Sequence, residues 1–394
     1  MNGTQIDELR MNSPEASTYL QERRAERAAL IQKWRWYLDG EEHGLKPIPE
    51  KLWEPMAMIF ENQSIFSGQG SALEATLTTD LVLPQKYALP IIRNIFPELF
   101  LMKIASIQPL PPMSGGVGRV FYQDFQREDA ADSSVTAADS DYAYNIENAV
   151  PKRLKMVITS ETFTATKDIL GASWSTEVME DARGALGIDV EAELIDQMGN
   201  EIGRELEERG LNEMITGAGA GNTNWSSTVP AGYTTKEWAE TLVHAFIDTE
   251  DLIFANRYRK ADYLVGGRNV IKWLRKASDY VAEPRARPDL NPSRVGVELI
   301  GTLNGLWDVY TSVYVNADKA LMGVYPRSQT DTGYIFSPYI PLAAMPLVYA
   351  EFLPYDDATL PGAYLNTDKW SRNVRTRNAK KMVVPELFGT VTIT

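Results

Sequence analysis

The chain has 394 residues, 44% of them hydrophobic, a formal net charge of -14 and no cysteine. That length allows about two or three domains and a sizeable core. The acidic balance counts against direct nucleic-acid binding by phosphate neutralisation, and the lack of cysteine excludes disulfides, thiolate zinc sites and thiol nucleophiles.

The opening residues Met1–Glu8 are polar and acidic, unlike a signal peptide. Ser13-Pro14 is a helix start, and the spacing predicts a helix to about Leu38, stopped by Asp39-Gly40. Leu30, Ile31, Trp34, Tyr37 and Leu38 cluster near its end, beside Arg23, Arg24, Arg27 and Lys33. Lys46–Glu50 and Asn62–Gly70 read as extended linkers, so residues 1–70 are expected to form an arm. Its apolar helix face packs either on the chain's own body or on a neighbouring subunit. We expect the second, with burial only on assembly, because a bare aromatic patch would be sticky.

Prolines punctuate the apolar stretches at 87–113 and 334–352, leaving no unbroken bilayer span, so a soluble protein is expected. Pro90–Pro97 reads as a short helix held between its two prolines, and 119–125 as a strand. An acidic tip follows, carrying Glu128, Asp129, Asp132, Asp139, Asp141 and Glu147. The run Lys152–Thr166 alternates Leu154, Met156 and Ile158 with polar residues, the period of a half-buried strand. Together these two strands make an antiparallel ribbon, which is marginal in water unless it lies on a surface.

Asp189 is an N-cap with acids in the turn after it, where the helix dipole favours them. From Val190, residues Leu194, Met198, Ile202 and Leu206 recur at i+4 steps with Ile195 alongside, predicting a helix to about Thr216, roughly 40 Å long. Gly217–Asn224 reads as a flexible break. A second αβ region is expected beyond it: a helix over 235–256 with Trp238, Leu242, Ala245, Phe246 and Leu252 inward, strands at 262–266, 298–303 and 309–315, and a helix over 268–277. The tail returns through strand-like 333–342 and 383–393, with a basic stretch of Arg372, Arg375, Arg377, Lys380 and Lys381 between them. These five are candidate partners for a neighbour's acidic tip.

Signatures of catalysis are missing. There is no phosphate loop, no Gly-x-Ser-x-Gly elbow and no His-Glu-x-x-His. Gly115–Gly118 precedes a strand, and Gly217–Gly221 follows a helix, so neither suits a dinucleotide. His43 is expected in an exposed loop and His244 packed in a helix. The acidic tip lacks the ordered EF-hand pattern. No catalytic, cofactor-binding or metal-binding residue is therefore assigned, and no cofactor is expected.

Five segments in order, Pro90–Pro97, Lys152–Thr166, Gly187–Leu194, Ala261–Asn269 and Thr332–Leu342, resemble the major capsid proteins of tailed bacteriophages, in the T-even myovirus branch. The resemblance implies an α+β chain of the Hong Kong 97 type. Its parts would be an N-terminal arm over 1–70, an E-loop over 116–158 and a peripheral domain over 71–115 and 159–229, with its spine helix at 189–216. An axial domain over 230–330 and return strands over 331–394 complete it. No added domain of the kind the T-even relatives carry is expected here. The resemblance also implies maturation cleavage after a glutamate, for which Leu52-Trp-Glu54 and Ile59-Phe-Glu61 are candidates.

The implied function is a structural subunit of an icosahedral head. Its hexameric capsomers, with pentamers of the same chain or a separate vertex protein at the vertices, would enclose double-stranded DNA without binding it specifically. The implied partners are scaffold, portal and decoration or vertex proteins, with no membrane, and the site is the virion capsid, assembled in the host cytoplasm. Two other readings stay open: an encapsulin-like compartment shell, and an αβ enzyme with an unrecognised acid/base site.

Overall fold

The computed structural model describes residues 14–40, 47–69, 85–110, 117–127, 153–187, 189–277, 280–282, 296–303, 305–327, 331–344, 348–349, 352–354, 364–366 and 369–394. Helices and strands are mixed along the chain, as an α+β architecture requires. Among the described residues no helix is long and apolar enough to cross a membrane.

The first helix, Pro14–Asp39, packs on a second, Trp53–Gln69. That second helix corrects the linker expected over Asn62–Gly70. Asn62 and Gln63 look like linker residues but are buried, and Asn62 donates to the carbonyls of Leu110 (2.9 Å) and Tyr339 (3.3 Å). A third helix, Gln85–Ile95, runs through Pro90 instead of starting there, and a 3-10 turn, Phe96–Glu98, takes it past Pro97.

The long helix spans Val190–Gly217. Asp189 caps it, accepting from the amides of Glu191 and Ala192, as its sequence predicts. Ile195, Met198, Ile202 and Leu206 are buried along one stripe. Gly199 and Gly203 lie on the same side, under the third helix: a Cβ on Gly199 would meet Ile91 at 2.9 Å, and one on Gly203 would meet Ile95 at 2.9 Å. The two helices approach this closely because those positions carry no side chain.

Two sheets flank the long helix. In the five-stranded sheet, Lys369–Met382 is central. It pairs antiparallel with Tyr334–Ala344 and Val348–Tyr349, and with Thr166–Ser175, while Ser106–Ile107 runs parallel at the edge. The strands Thr166–Ser175 and Lys369–Met382 carry no apolar alternation that would predict them.

The seven-stranded sheet runs Gly221–Trp225, Phe388–Ile393, Lys319–Gly323, Tyr263–Gly266, Trp307–Ser312, Val297–Leu303, Tyr280–Ala282. Its first strand occupies the expected flexible break; Asn222 holds it to its neighbour by accepting from the hydroxyls of Thr390 and Thr392. The helix Thr235–Arg257 covers this end, opened by a Thr234/Glu237 capping box. Its inner face carries Leu242, Ala245, Phe246 and Ile253, whereas Leu252 is exposed, against expectation. One continuous apolar core joins the first three helices, the long helix and this sheet.

Candidate functional site

The contact surfaces expected from the sequence fall in three places: the ribbon, the first helix and the basic tail.

Val117–Arg127 and Leu154–Thr164 pair antiparallel from Val117↔Thr164 to Arg127↔Leu154. The base of the ribbon is fixed in apolar contact through Phe163, which forms a small separate cluster with Ile335 and Ala379 of the five-stranded sheet. Further out, Leu154 is 61% exposed, Met156 44% and Ile158 41%. The period-2 pattern predicts a half-buried strand, and within one chain these three side chains keep 41–61% of their surface exposed. A strand with one apolar face needs a surface to lie on, and the described residues of the subunit leave this one exposed. Glu128, Asp129, Asp132, Asp139 and Asp141 lie outside the described residues.

The first helix gives the opposite result. Trp34, Tyr37 and Leu38 are buried in the chain's own core, and Leu30 and Ile31 are half-buried against it. The Trp34 and Tyr37 rings lie 5.6 and 5.1 Å from that of Phe60. Glu61 accepts from the indole of Trp34 at 2.9 Å and from Lys33 at 2.7 Å, and Arg27 pairs with Glu54 at 2.7 Å. Arg93 donates to the carbonyl of Tyr37 at 2.9 Å, satisfying the helix end, and burial raises the Tyr37 hydroxyl to about 12. Burial of this face only on assembly is therefore corrected. The extended tether at 47–49 is real, yet the second helix behind it folds the arm's end back onto the body. Glu61 lies inside that helix next to fully buried Phe60, so a cut there would have to open the core.

The basic tail is largely spoken for. Arg372 is buried and ion-paired with Glu191 on the long helix; Lys380 lies 3.4 Å from Glu213, which also accepts from Tyr334 at 2.6 Å. Burial lowers the pKa of both cations. The guanidinium of Arg377 sits 5.3 Å from the ring centre of Tyr339, Arg375 is half-buried and Lys381 is exposed. For Arg372 and Lys380, the acids of the chain's own long helix replace the expected acidic tip. The tail strand runs alongside that helix, a proximity invisible in the sequence.

Among the described residues, no three His, Cys, Asp or Glu side chains come together as a metal site. His244 is exposed, contrary to the packed position expected of it, and His43 lies outside the described residues.

The family model that matches this chain is "Major capsid protein Gp23", over residues 128–355. The chain belongs to the Gp23 major capsid protein family. Curated members include the major capsid protein of Vibrio phage KVP40, 23% identical over 207 residues, which covers 48% of this chain and 40% of that protein. That of Serratia phage KSP90 is 25% identical over 199 residues (48% and 45%), and that of Enterobacteria phage T4 is 23% identical over 207 (48% and 40%). The matched stretch is thus less than half the length of these relatives. Similar solved structures include Mycobacterium phage Adephagia (TM-score 0.46, 12% identity, 75% of this chain and 90% of that one) and the capsid of Myoviridae phage XM1 (0.42, 10%, 73% and 89%). Family membership favours the phage-head reading over the compartment shell and the αβ enzyme.

Proposed function

We propose that this chain is the shell-forming subunit of a tailed-phage head, with a structural and no catalytic role. Copies would join in hexameric and pentameric capsomers that close an icosahedral shell around double-stranded DNA. On this reading the ribbon is the E-loop, Val190–Gly217 the spine helix and the seven-stranded sheet the axial domain. The acidic chain repels the packaged genome instead of gripping it. Scaffold, portal and decoration or vertex proteins are the further partners, with assembly in the host cytoplasm.

The observation that carries this reading is the bare ribbon face of Leu154, Met156 and Ile158 in a member of this family. Burying such side chains is worth about 1.5–3 kcal/mol each. Three of them supply about 4.5–9 kcal/mol at most against an association cost of about 4–15 kcal/mol, so one ribbon contact holds two subunits weakly at best. Head-to-tail repetition around a closed ring makes many such contacts cooperate.

Electron microscopy and light scattering of the expressed protein test this. Shells or capsomers are expected, and Met156→Asp with Ile158→Asp should abolish them while leaving the subunit's melting temperature unchanged. Monomer alone under every salt, crowding and scaffold condition would defeat the proposal, as would normal shells from the double variant.

A further inference from the structure

Glu207 sits on the long helix with no exposed surface. One carboxyl oxygen accepts the amide N–H of Leu101 at 3.0 Å, while the other is buried with no hydrogen-bond partner among the described residues. Leu101 opens the short helical turn Leu101–Ile104. Its side chain lies over Gly210 of the long helix, where a Cβ would come within 2.6 Å. Just before it, the Phe100 ring lies 4.5 Å from Tyr310 and 5.9 Å from Tyr263, both in the seven-stranded sheet. The turn is therefore a wedge between long helix and sheet, and Glu207 is its polar fastening.

We propose that Glu207 is a proton-held brace: neutral, it fastens the Phe100–Ile104 wedge between the long helix and the seven-stranded sheet, and its ionisation loosens that wedge.

A buried carboxylate is tolerable only when a cation or several donors replace its water. Lys103, on the wedge itself, lowers the carboxyl's pKa, as do the backbone amides of Leu101 and Phe100. Tyr314 faces the site from the sheet side, and Glu201, Arg204 and Glu208 flank it on the long helix. Desolvation outweighs these contributions and pushes Glu207 up to about 8 from its ordinary 4.5. Between those two values the folded chain holds a proton that the unfolded chain has released. Stability from this group is therefore greatest below 4.5 and falls as pH rises to about 8, beyond which the loss stays constant. The brace belongs to the single chain and does not depend on the shell reading.

The test is denaturant unfolding of the full chain from pH 5 to 9, wild type against E207Q, which keeps an acceptor for Leu101 and cannot ionise. Relative to E207Q, the wild-type folding equilibrium should fall about tenfold per pH unit until the carboxyl ionises, then run parallel. Amide exchange at Leu101 should quicken over the same range in wild type relative to the variant. Parallel unfolding curves at every pH would overturn the proposal. If E207Q does not fold, infrared spectroscopy of the folded wild type decides: a protonated carboxylic-acid band at pH 7 that vanishes above pH 8 supports the brace, and no such band at pH 7 refutes it.

Discussion

Trp34 donates its indole N–H to Glu61 at 2.9 Å, and that bond ties the end of the first helix to the second. The Trp34 ring also packs on Phe60, so both the polar and the apolar parts of the residue are used within one chain.

Trp34→Ala should therefore destabilise the isolated subunit by about 3–5 kcal/mol, the usual cost of deleting a buried tryptophan. Trp34→Phe keeps most of the packing and forfeits one hydrogen bond, with Lys33 still on Glu61, so about 1 kcal/mol is expected. Chemical denaturation of the monomer measures both. An alanine variant with unchanged monomer stability but failed assembly would restore the reading in which a neighbour buries this face.

Gly203→Ala should cost about 1–3 kcal/mol by overpacking, because the new methyl would lie 2.9 Å from the Ile95 side chain, which would have to shift. Gly184 is the control. A Cβ there meets nothing within 4 Å, so Gly184→Ala should be neutral or stabilise by up to about 1 kcal/mol. Equal thermal shifts for the two variants would show that the third helix does not need the glycine side of the long helix.

These cases also show what could be read before folding. The long helix was legible because cap, acidic first turn and i+4 stripe all agree. Its glycines at 199 and 203 carried a readable signal as well, two small residues four apart on the apolar side. The strand Lys369–Met382 was illegible for a definite reason. It buries alternate residues from Arg372 through Val374 and Thr376 to Asn378, with Ala379 beside them, and that alternating set is mostly polar. Their needs are met from distant segments: Glu191 for Arg372, the Ile340 carbonyl for Thr376 and the Asp168 carboxylate for Asn378. Only tertiary structure brings those partners near. The ribbon failed the other way, since its alternation was correctly read as a strand while no described residue of the chain covers its apolar face.

Arg372→Ala should cost about 3 kcal/mol, the low end for breaking a buried pair, because Glu191 is partly exposed and can regain water. Arg372→Leu, which fills the space, should cost less. Raising salt should change the stability difference between wild type and Arg372→Ala little, as a buried pair is poorly screened. A strong salt dependence of wild-type stability that vanishes in Arg372→Ala would mean that the pair is a surface contact.

Phe163 anchors the ribbon apart from the main core, through contacts to Ile335 and Ala379. Removing its ring should free the root of the ribbon without opening the body, since the continuous core beneath does not include it. Phe163→Ala is thus expected to speed amide exchange across 154–164 by local opening, while amides of the central sheet strand Tyr263–Gly266 keep wild-type protection. On the shell reading the same change should weaken assembly, because a ribbon with a loose root must be ordered each time it docks, and every ordered backbone residue costs about 1–2 kcal/mol. Faster exchange in the ribbon and the sheet alike would instead make Phe163 part of the global folding unit, and the ribbon would no longer count as a separately hinged element.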